Sequence, residues 1–370
     1  MAGTIDLDGK RILIVKQSSL GDIVHTLPVV HALKRCHPTC RIGWIAEQGF
    51  APLVERDPVV EWVHAIHIPS TSNPDSGRTA YPQALIATLH TLRQLRAAFA
   101  EAPYDLVLDL HASFRSGLLA LANSGGLRIG FAGARELNTL FQHHLVPNPE
   151  GKTHAVDKNL LFCRFLDCEP TAEDFHLCAS PEDRQVVARF LVEQGIGDSA
   201  PLVYVNPTAR WQSKFWLAER WAALADRLLM AGVIPVFGGG PGDAAYIKQI
   251  TDLMRERTVV TAGRLNLTES AALMHRAAAY VGLDTGPMHM AAMAGISVVA
   301  LFGPTHPERV GPYGPGHVVL QAAGLDCLCC RKRTCGHLSC MRGITVDRVE
   351  AAVMAQVGKQ TTATRPWISA

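Results

Sequence analysis

The sequence lacks the long apolar runs and the strong charge bias that mark several classes of protein. None of its apolar runs approaches the roughly 18 residues that cross a bilayer. Its 35 lysines and arginines nearly balance its 33 aspartates and glutamates. Apart from Arg331-Lys332-Arg333 it has no basic stripe of the kind that binds nucleic acid. We therefore expect neither a membrane-spanning nor a nucleic-acid-binding protein.

Several familiar catalytic motifs are missing as well. The chain has no HExxH and no GxSxG, which argues against a zinc protease and a serine hydrolase. The glycine-rich segment 237–242 lacks both the GxGxxG spacing of a dinucleotide site and the GK[ST] of a P-loop, so a tight turn is expected there. No strand ends in an Asp-x-Asp metal pair, because Asp6-Leu7-Asp8 precedes the first strand.

The ten cysteines fall into two groups. Residues 1–10 have no apolar core, so we expect no signal peptide and a reducing cytoplasm, in which disulfides are not expected. Five cysteines are scattered, and the other five lie close together near the end. Four of these five could hold a structural zinc or iron ion away from the other motifs, with reduced structural thiols as the alternative. The four candidate ligands are Cys327, Cys330, Cys335 and Cys340.

Strand-like and helix-like segments alternate along the chain, and the alternation restarts after a charged region at 179–200. This pattern predicts two α/β halves, each with a parallel sheet covered by helices. Strands are predicted at 11–15, 41–46, 62–68, 104–109, 202–205, 234–237, 258–260, 280–283 and 297–302. Helices are predicted at 23–33, 85–95, 219–230, 243–257, 270–278, 288–294 and 346–357. The expected domains are 1–180 and 181–345, followed by a helix and tail at 346–370.

The most informative motif is the segment 283–292, where an apolar strand ends in Asp284 and a helix opens near Pro287. Proline is favoured at the start of a helix, and the N–H groups there suit a phosphate or diphosphate. Asp284 could accept hydrogen bonds from sugar hydroxyls at the carboxyl edge of the sheet. The alternative is that Asp284 and Thr285 merely cap the helix.

Two further segments follow the first strand of each half. The segment 205–216 contains Thr208 and Lys214, which could bind a diphosphate, although a lone lysine beside a tryptophan is more often solvated. In the first half, Gly21 permits a sharp turn and Asp22 is a candidate general base. A helix cap explains Asp22 equally well.

Together these segments resemble glycosyltransferase family 9, the bacterial lipopolysaccharide heptosyltransferases. The resemblance spans about residues 11 to 350. It rests on SLGDIVHTLP at 19–28, YDLVLDLH and FRS within 104–116, DTGPMH at 284–289, ALFGPT at 300–305, and the cysteine cluster followed by Met341 and Ile344.

The resemblance implies an α/β chain with the GT-B fold, in which two Rossmann-like domains face a central cleft. It also implies an inverting glycosyltransferase that moves heptose from ADP-heptose to the inner core of lipopolysaccharide, with no cofactor required for catalysis. The N-terminal domain would bind the lipid A–inner core oligosaccharide that accepts the heptose. The C-terminal domain would bind the nucleotide sugar.

The candidate residues take their roles from the same resemblance. Asp22 would be the base that removes the proton of the acceptor hydroxyl. The donor sugar and its diphosphate would be held by Asp284, Thr285, Gly286, His289, Lys214 and Thr208. Met274 would line the adenine pocket, with a core methionine as the alternative. The acceptor contacts would be His111, Arg115 and Arg135, each equally explained as a solvated group.

Three other functions stay open at this point. One is a transferase of the same family with another nucleotide sugar or a protein acceptor, because the segment 206–210 departs from the pair of small or hydroxyl residues common in the family. The others are a nucleotide-sugar 2-epimerase of the same fold and a non-catalytic nucleotide-sugar binder. A growing lipopolysaccharide core implies a cytoplasmic enzyme at the inner face of the inner membrane, held there peripherally. The segment 70–81 is predicted to be a solvent loop, with an acceptor or membrane contact as the alternative.

Overall fold

A computed structural model describes residues 5–69, 80–147 and 153–361 of the chain. The chain divides into two compact units, Met1–His176 and Leu177–Ala370. Each unit contains one six-stranded sheet in which all the paired strands are parallel. The expected pattern of two α/β halves in tandem is therefore confirmed.

The sheet of the first unit has the strand order β3-β2-β1-β4-β5-β6. Its strands are β1 (Arg11–Val15), β2 (Arg41–Glu47), β3 (Val60–Ile66), β4 (Leu106–Asp109), β5 (Leu127–Phe131) and β6 (His144–Val146). The helices of this unit are α1 (Leu20–Val24), α2 (Leu27–Cys36), α3 (Ala51–Glu55), α4 (Ala80–Glu101), α5 (Phe114–Ala120) and α6 (Ala155–Phe165). Short 3₁₀ turns lie at Asn138–Phe141 and Ala172–Asp174.

The second unit repeats this arrangement, with the order β12-β11-β10-β7-β8-β9. Its strands are β7 (Leu202–Asn206), β8 (Ile234–Phe237), β9 (Val259–Val260), β10 (Ala279–Leu283), β11 (Ser297–Leu301) and β12 (Val318–Leu320). Its helices are α7 (Pro181–Glu193), α8 (Ala218–Met230), α9 (Ala244–Asp252), α10 (Leu267–Arg276), α11 (Gly286–Met293), α12 (Pro307–Val310), α13 (Ser339–Arg342) and α14 (Val346–Thr361). Its 3₁₀ turns are Gln212–Lys214 and Pro241–Asp243.

Both sheets reverse their strand order at a corresponding place. In the first unit this switch point lies between β1 and β4, and in the second it lies between β7 and β10. Open parallel sheets leave a crevice outside the carboxyl ends of the two strands at such a point, and ligands bind there. The segments that the sequence singled out follow β1, β4, β7 and β10, so the fold brings them to the two switch points.

The central strands are apolar throughout because both of their faces are covered by helices. All five residues of β7 and of β10 are buried. In the second unit the rings of Trp216 and Trp221 meet edge to face, with their centroids 4.8 Å apart, within a cluster of buried apolar side chains. α14 packs against α8, β10 and β11, so this final helix forms part of the second unit.

Several predicted elements differ in detail. The helix expected at 23–33 is two helices, α1 and α2, and Pro28 lies in the first turn of α2, where its missing N–H costs nothing. The helix expected at 243–257 stops at Asp252. Most of the expected loop at 70–81 lies outside the described residues, and its last residue, Tyr81, belongs to α4.

The expectation that disulfides are absent is wrong for one pair. Cys36, at the end of α2, is bonded to Cys168, with the two Cα atoms 6.0 Å apart and a sequence separation of 132. The pairing depends on the packing of α2 against α6, which brings distant segments together. Among the described residues, none of the helices is both long enough and apolar enough to span a membrane.

Candidate active site

The loop after β1 holds Asp22 in the first turn of α1. One carboxylate oxygen of Asp22, Oδ2, accepts hydrogen bonds from the backbone N–H and the hydroxyl of Ser19, at 3.0 and 2.8 Å. The other, Oδ1, lies 3.7 Å from Nζ of Lys16, and the Asp22 side chain is 47% exposed. Asp22 therefore does cap the helix, but only with Oδ2, which leaves Oδ1 for a substrate proton.

Lys16 is a site residue that the sequence analysis missed. Its side chain is only 9% exposed, and Nζ donates to the carbonyl of Leu110 at 2.8 Å. Burial would raise the pKa of the Asp22 carboxyl, but the charge of Lys16 and the two hydrogen bonds from Ser19 outweigh it and lower the pKa. Asp22 is therefore ionised at neutral pH. A charged residue directly after an apolar strand was the signal that could have identified Lys16.

His111 follows β4, the neighbour of β1, and is close enough to Asp22 for their charges to interact. Burial, together with the positive charges of Lys16 and Arg115, lowers the pKa of His111 to about 4. The imidazole is therefore neutral at physiological pH. Two buried polar atoms in this region, His111 Nδ1 and Gln17 Nε2, have no hydrogen-bond partner among the described residues. A bound ligand could supply partners for both atoms.

A buried carboxylate at the end of β4 fixes the loop that carries His111. Asp109 accepts hydrogen bonds from the backbone N–H groups of His111 and Ala112, at 3.1 and 3.0 Å. It also accepts from Ser116 Oγ at 2.9 Å and Asn138 Nδ2 at 2.7 Å. Burial raises the pKa of Asp109 above its ordinary value, although these hydrogen bonds oppose the rise. Asp109 is therefore a positioning residue for the loop.

The other two predicted acceptor contacts lie on either side of this loop. Arg115 is half-buried in α5 and interacts electrostatically with His111 and with Glu47. Arg135 is exposed just before the 3₁₀ turn at Asn138–Phe141. The structure thus brings Arg115 close to His111, whereas Arg135 lies in the next segment of the same surface.

In the second unit, Lys214 and Asp284 form a close ion pair. Nζ of Lys214 donates to Oδ2 of Asp284 and to its backbone carbonyl, both at 2.7 Å. Their side chains are 15% and 7% exposed. Lys214 is therefore not the solvated lysine of the alternative interpretation. An ammonium group has three N–H donors, so one remains for a ligand.

The start of α11 has no side-chain cap. Thr285 is its N-cap residue, but the Thr285 hydroxyl lies 3.1 Å from Oδ1 of Asn206 and 3.3 Å from the carbonyl of Leu283. Asp284 bonds Lys214 instead of the helix. The N–H of Gly286 is thus left without a side-chain acceptor, as an anion site at a helix terminus requires. The next residue, Pro287, has no N–H, and Met288 donates its N–H to the carbonyl of Thr285 at 3.1 Å.

The remaining donor candidates are mostly buried. Thr208 follows β7 and is 6% exposed, and His289 lies one turn into α11 and is 7% exposed. Met274 on α10 is fully buried, which favours the core methionine over the adenine contact. Asn206 was not predicted; its amide donates to the carbonyl of Gly238 and its oxygen faces Thr285.

The cysteine segment does not form the predicted metal site. Among the described residues no group of three or more His, Cys, Asp or Glu is arranged to hold a metal ion. Cys327 and Cys330 are exposed, whereas Cys340 is buried against Gly303, where a Cβ would lie 2.7 Å from its sulfur. The segment turns Cys327 and Cys330 outward and packs Cys340 in the core, where burial and the nearby thiols of Cys327 and Cys335 raise the pKa of Cys340.

From the sequence, this segment was expected to lie away from the other motifs, and that expectation is wrong. Ser213 donates its backbone N–H to the carbonyl of Arg333 at 3.1 Å and its hydroxyl to the carbonyl of Lys332 at 2.6 Å. The guanidinium of Arg333 lies 5.6 Å from the ring of Trp211, and Nζ of Lys214 lies 4.9 Å from the same ring. The segment therefore supports the loop that carries Lys214.

Comparisons with known proteins agree with this geometry. A family model described as glycosyltransferase family 9 (heptosyltransferase) matches residues 92–340. Lipopolysaccharide heptosyltransferase 1 of Pseudomonas aeruginosa is 30% identical over 333 residues, which cover 88% of this chain and 87% of that protein.

Solved structures are similar over nearly the whole chain. A glycosyl transferase family 9 protein from Veillonella parvula superposes with a TM-score of 0.81 at 24% identity, covering 96% of this chain and 99% of its own. An Escherichia coli heptosyltransferase crystallised with ADP gives a TM-score of 0.72 at 24% identity, covering 94% and 99%. These likenesses confirm the predicted GT-B fold class.

Proposed function

The chain belongs to glycosyltransferase family 9, and from that premise we propose that it transfers heptose from ADP-heptose to the inner core of lipopolysaccharide, with inversion. The observation that carries the proposal is the position of Asp22. Its ionised carboxylate lies at the switch point of the first sheet, with one oxygen free of the helix cap. A base is needed at this position because an acceptor hydroxyl is a weak nucleophile until its proton is removed.

The first unit binds and activates the acceptor in this proposal. Asp22 Oδ1 takes the proton of the acceptor hydroxyl while the hydroxyl oxygen bonds to the anomeric carbon of the donor. Lys16 keeps Asp22 ionised, and the unpartnered atoms of His111 and Gln17 bind polar groups of the acceptor. Arg115 and Arg135 contact its acidic groups.

The second unit binds the donor and stabilises the leaving group. As the bond from the anomeric carbon to the diphosphate breaks, negative charge grows on the diphosphate oxygen. The third N–H of Lys214 and the start of α11 at Gly286 stabilise that charge, with the hydroxyls of Thr208 and Thr285. Asp284, held by Lys214, accepts hydrogen bonds from the sugar hydroxyls, and His289 supports the site from within α11. Because these groups supply the needed charge and polarity, we propose that no cofactor takes part.

The acceptor in this proposal is a lipid A–inner core oligosaccharide. Such a molecule is anchored in the inner leaflet of the inner membrane by its acyl chains. The enzyme would then work on the cytoplasmic side and associate with that leaflet peripherally.

Replacing Asp22 by asparagine tests the base. Asparagine keeps an oxygen that accepts from Ser19, so the helix cap and the melting temperature should change little. The turnover of ADP-heptose with the lipid acceptor should fall by about 10²- to 10⁴-fold, because the amide cannot take a proton. Asp105→Asn, at an exposed carboxylate, is the matched control and should turn over normally.

A titration with different nucleotides and a reaction without acceptor separate the alternative functions. In a thermal-shift titration, ADP and ADP-heptose should stabilise the protein, whereas preference for UDP or GDP would overturn the donor. A 2-epimerase would convert the nucleotide sugar without any acceptor. Undiminished turnover in Asp22→Asn would contradict the assignment of the base.

A further inference from the structure

Of the eight large apolar side chains that the described part of the first unit exposes, four lie on neighbouring segments after β4 and the other four lie on α4. Phe114 opens α5 and is 46% exposed, Leu137 and Leu140 flank the 3₁₀ turn at 66% and 76%, and Leu145 in β6 is 40% exposed. We name these four residues the apolar ridge. Single exposed leucines are ordinary, but a group of four within one part of the fold marks an interaction surface.

The apolar ridge is held rigidly. The ring of Phe114 packs edge to face against Phe141, 5.3 Å away, and Asn138 between the two leucines is fully buried and donates to Asp109 at 2.7 Å. Leu137 has φ +60°, a left-handed conformation that is unfavourable for leucine. An exposed leucine in this conformation adds little to the stability of the fold.

The segment that carries the apolar ridge has more basic than acidic residues. The segment 110–147 contains three arginines, Arg115, Arg128 and Arg135, and its single acidic residue is Glu136. The carboxylate of Glu136 is engaged, because it accepts the backbone N–H of Phe114 at 3.2 Å. Exposed apolar groups with a surplus of arginines match the interface of a bilayer with anionic lipids.

We propose that the apolar ridge docks this unit on the surface of an anionic lipid bilayer. The inference rests on the proposed function, in which the acceptor is anchored in such a bilayer. It adds a reason for the position of the ridge: Phe114 lies three residues from His111 in the loop that Asp109 fixes. Docking there brings the candidate acceptor contacts to the membrane surface that carries the acceptor.

Vesicle co-sedimentation of the full chain tests this surface without donor or acceptor. The probes are vesicles of phosphatidylethanolamine and phosphatidylglycerol, compared with vesicles of phosphatidylcholine alone. The test variant is Leu137→Asn with Leu140→Gln, because asparagine tolerates the left-handed conformation better than leucine does. Its partition onto anionic vesicles should be weaker by about tenfold or more, since two exposed leucines are lost. Added salt should weaken the binding of the wild type.

The matched control removes two equally exposed apolar side chains from the second unit. Val192→Asn with Met230→Gln changes residues that are 71% and 85% exposed and should bind vesicles as the wild type does. Absence of binding by the wild type, or equal binding by the ridge variant, would overturn the proposal. If the wild type is a dimer without lipid and the ridge variant is a monomer, the apolar ridge is an interface with a second copy of the chain, and the proposal is overturned. ADP titration of the same samples reports on the donor site separately, so failure of the ridge and failure of the proposed function are distinguishable.

Discussion

Replacing Lys214 by methionine tests the ion pair on which the candidate donor site depends. The charged groups of Lys214 and Asp284 are 2.7 Å apart, and their side chains are 15% and 7% exposed. At that distance and an effective dielectric constant of about 20, the attraction is about 6 kcal/mol before desolvation is subtracted. Methionine leaves the Asp284 carboxylate buried without its cation, so the free energy of unfolding should fall by about 3 kcal/mol.

Urea unfolding followed by tryptophan fluorescence measures this loss, because Trp211, Trp216 and Trp221 all lie in the second unit. The matched control is Lys248→Met. Lys248 pairs with Asp252 at the same 2.7 Å, but the two side chains are 72% and 61% exposed. Water screens that pair, so its loss should change the free energy of unfolding by less than about 0.5 kcal/mol.

The same variants report on ligand binding. Lys214→Met should weaken the binding of ADP by about tenfold or more, because a charged hydrogen bond to the diphosphate is lost. Adding Asp284→Asn to that variant should restore part of the stability, since no unpaired charge stays buried. Equal stability losses for the Lys214 and Lys248 variants would refute the burial argument. Unchanged ADP affinity would refute the role of Lys214 in binding the diphosphate.

Three further predictions concern the first unit. Lys16→Met should raise the pKa of Asp22, because the positive charge that stabilises the carboxylate is lost. The acid limb of the profile of kcat/KM against pH should therefore move to higher pH. A limb that stays in place would exclude the electrostatic role of Lys16. Burial and the nearby Arg11 lower the pKa of His64 to about 4. As the pH falls, His64 therefore takes up a proton in the unfolded chain before it does so in the folded chain. The free energy of unfolding should thus fall as the pH drops from about 6.5 to 4. Urea titrations across this range should show a shallower fall in His64→Gln, and identical slopes would contradict the shift. Cys36→Ser should destabilise the first unit by up to about 5 kcal/mol in the chain-entropy estimate, because the disulfide closes a loop of 132 residues. Thiol titration of the unreduced, denatured wild type should give eight free cysteines, and ten would contradict the bond.

Prediction from sequence succeeded best for the buried, strongly apolar strands. β1, β8 and β10 lie within one residue of their predicted bounds, because a fully buried parallel strand has a continuous apolar run. The short strands β6 and β12 have three residues each and carry little pattern, so they were missed. The break between α1 and α2 was missed because the apolar spacing continues across it.

Part of the candidate site could also be predicted from the sequence pattern. Asp284 stands directly after an apolar strand, and Asp22 and Lys214 lie in the segments that follow β1 and β7. In a parallel sheet the segments after the carboxyl ends of the strands form the ligand-binding edge. Lys16 stands directly after β1, a signal that was overlooked, whereas the importance of Asn206 depends on its contact with Thr285, 79 residues away in the chain. The predictions for the cysteines failed because contacts between distant segments decide which thiols meet. Their close spacing in sequence predicted a metal site, whereas the described residues form none, and packing joins Cys36 to Cys168, two of the scattered cysteines.

The sequence by itself determined the class of fold and the chemistry at the strand ends, because periodicity and residue type act locally along the chain. It left open whether each polar residue is a cap, a core group or a ligand contact. Only the tertiary structure decided that Lys214 bonds Asp284, that Thr285 leaves α11 uncapped and that Asp22 caps with one oxygen alone. The first two facts depend on contacts between segments 70 or more residues apart, which folding sets and local pattern does not encode. The cap by Asp22 is a local contact with Ser19, but residue type alone does not say which carboxylate oxygen makes it.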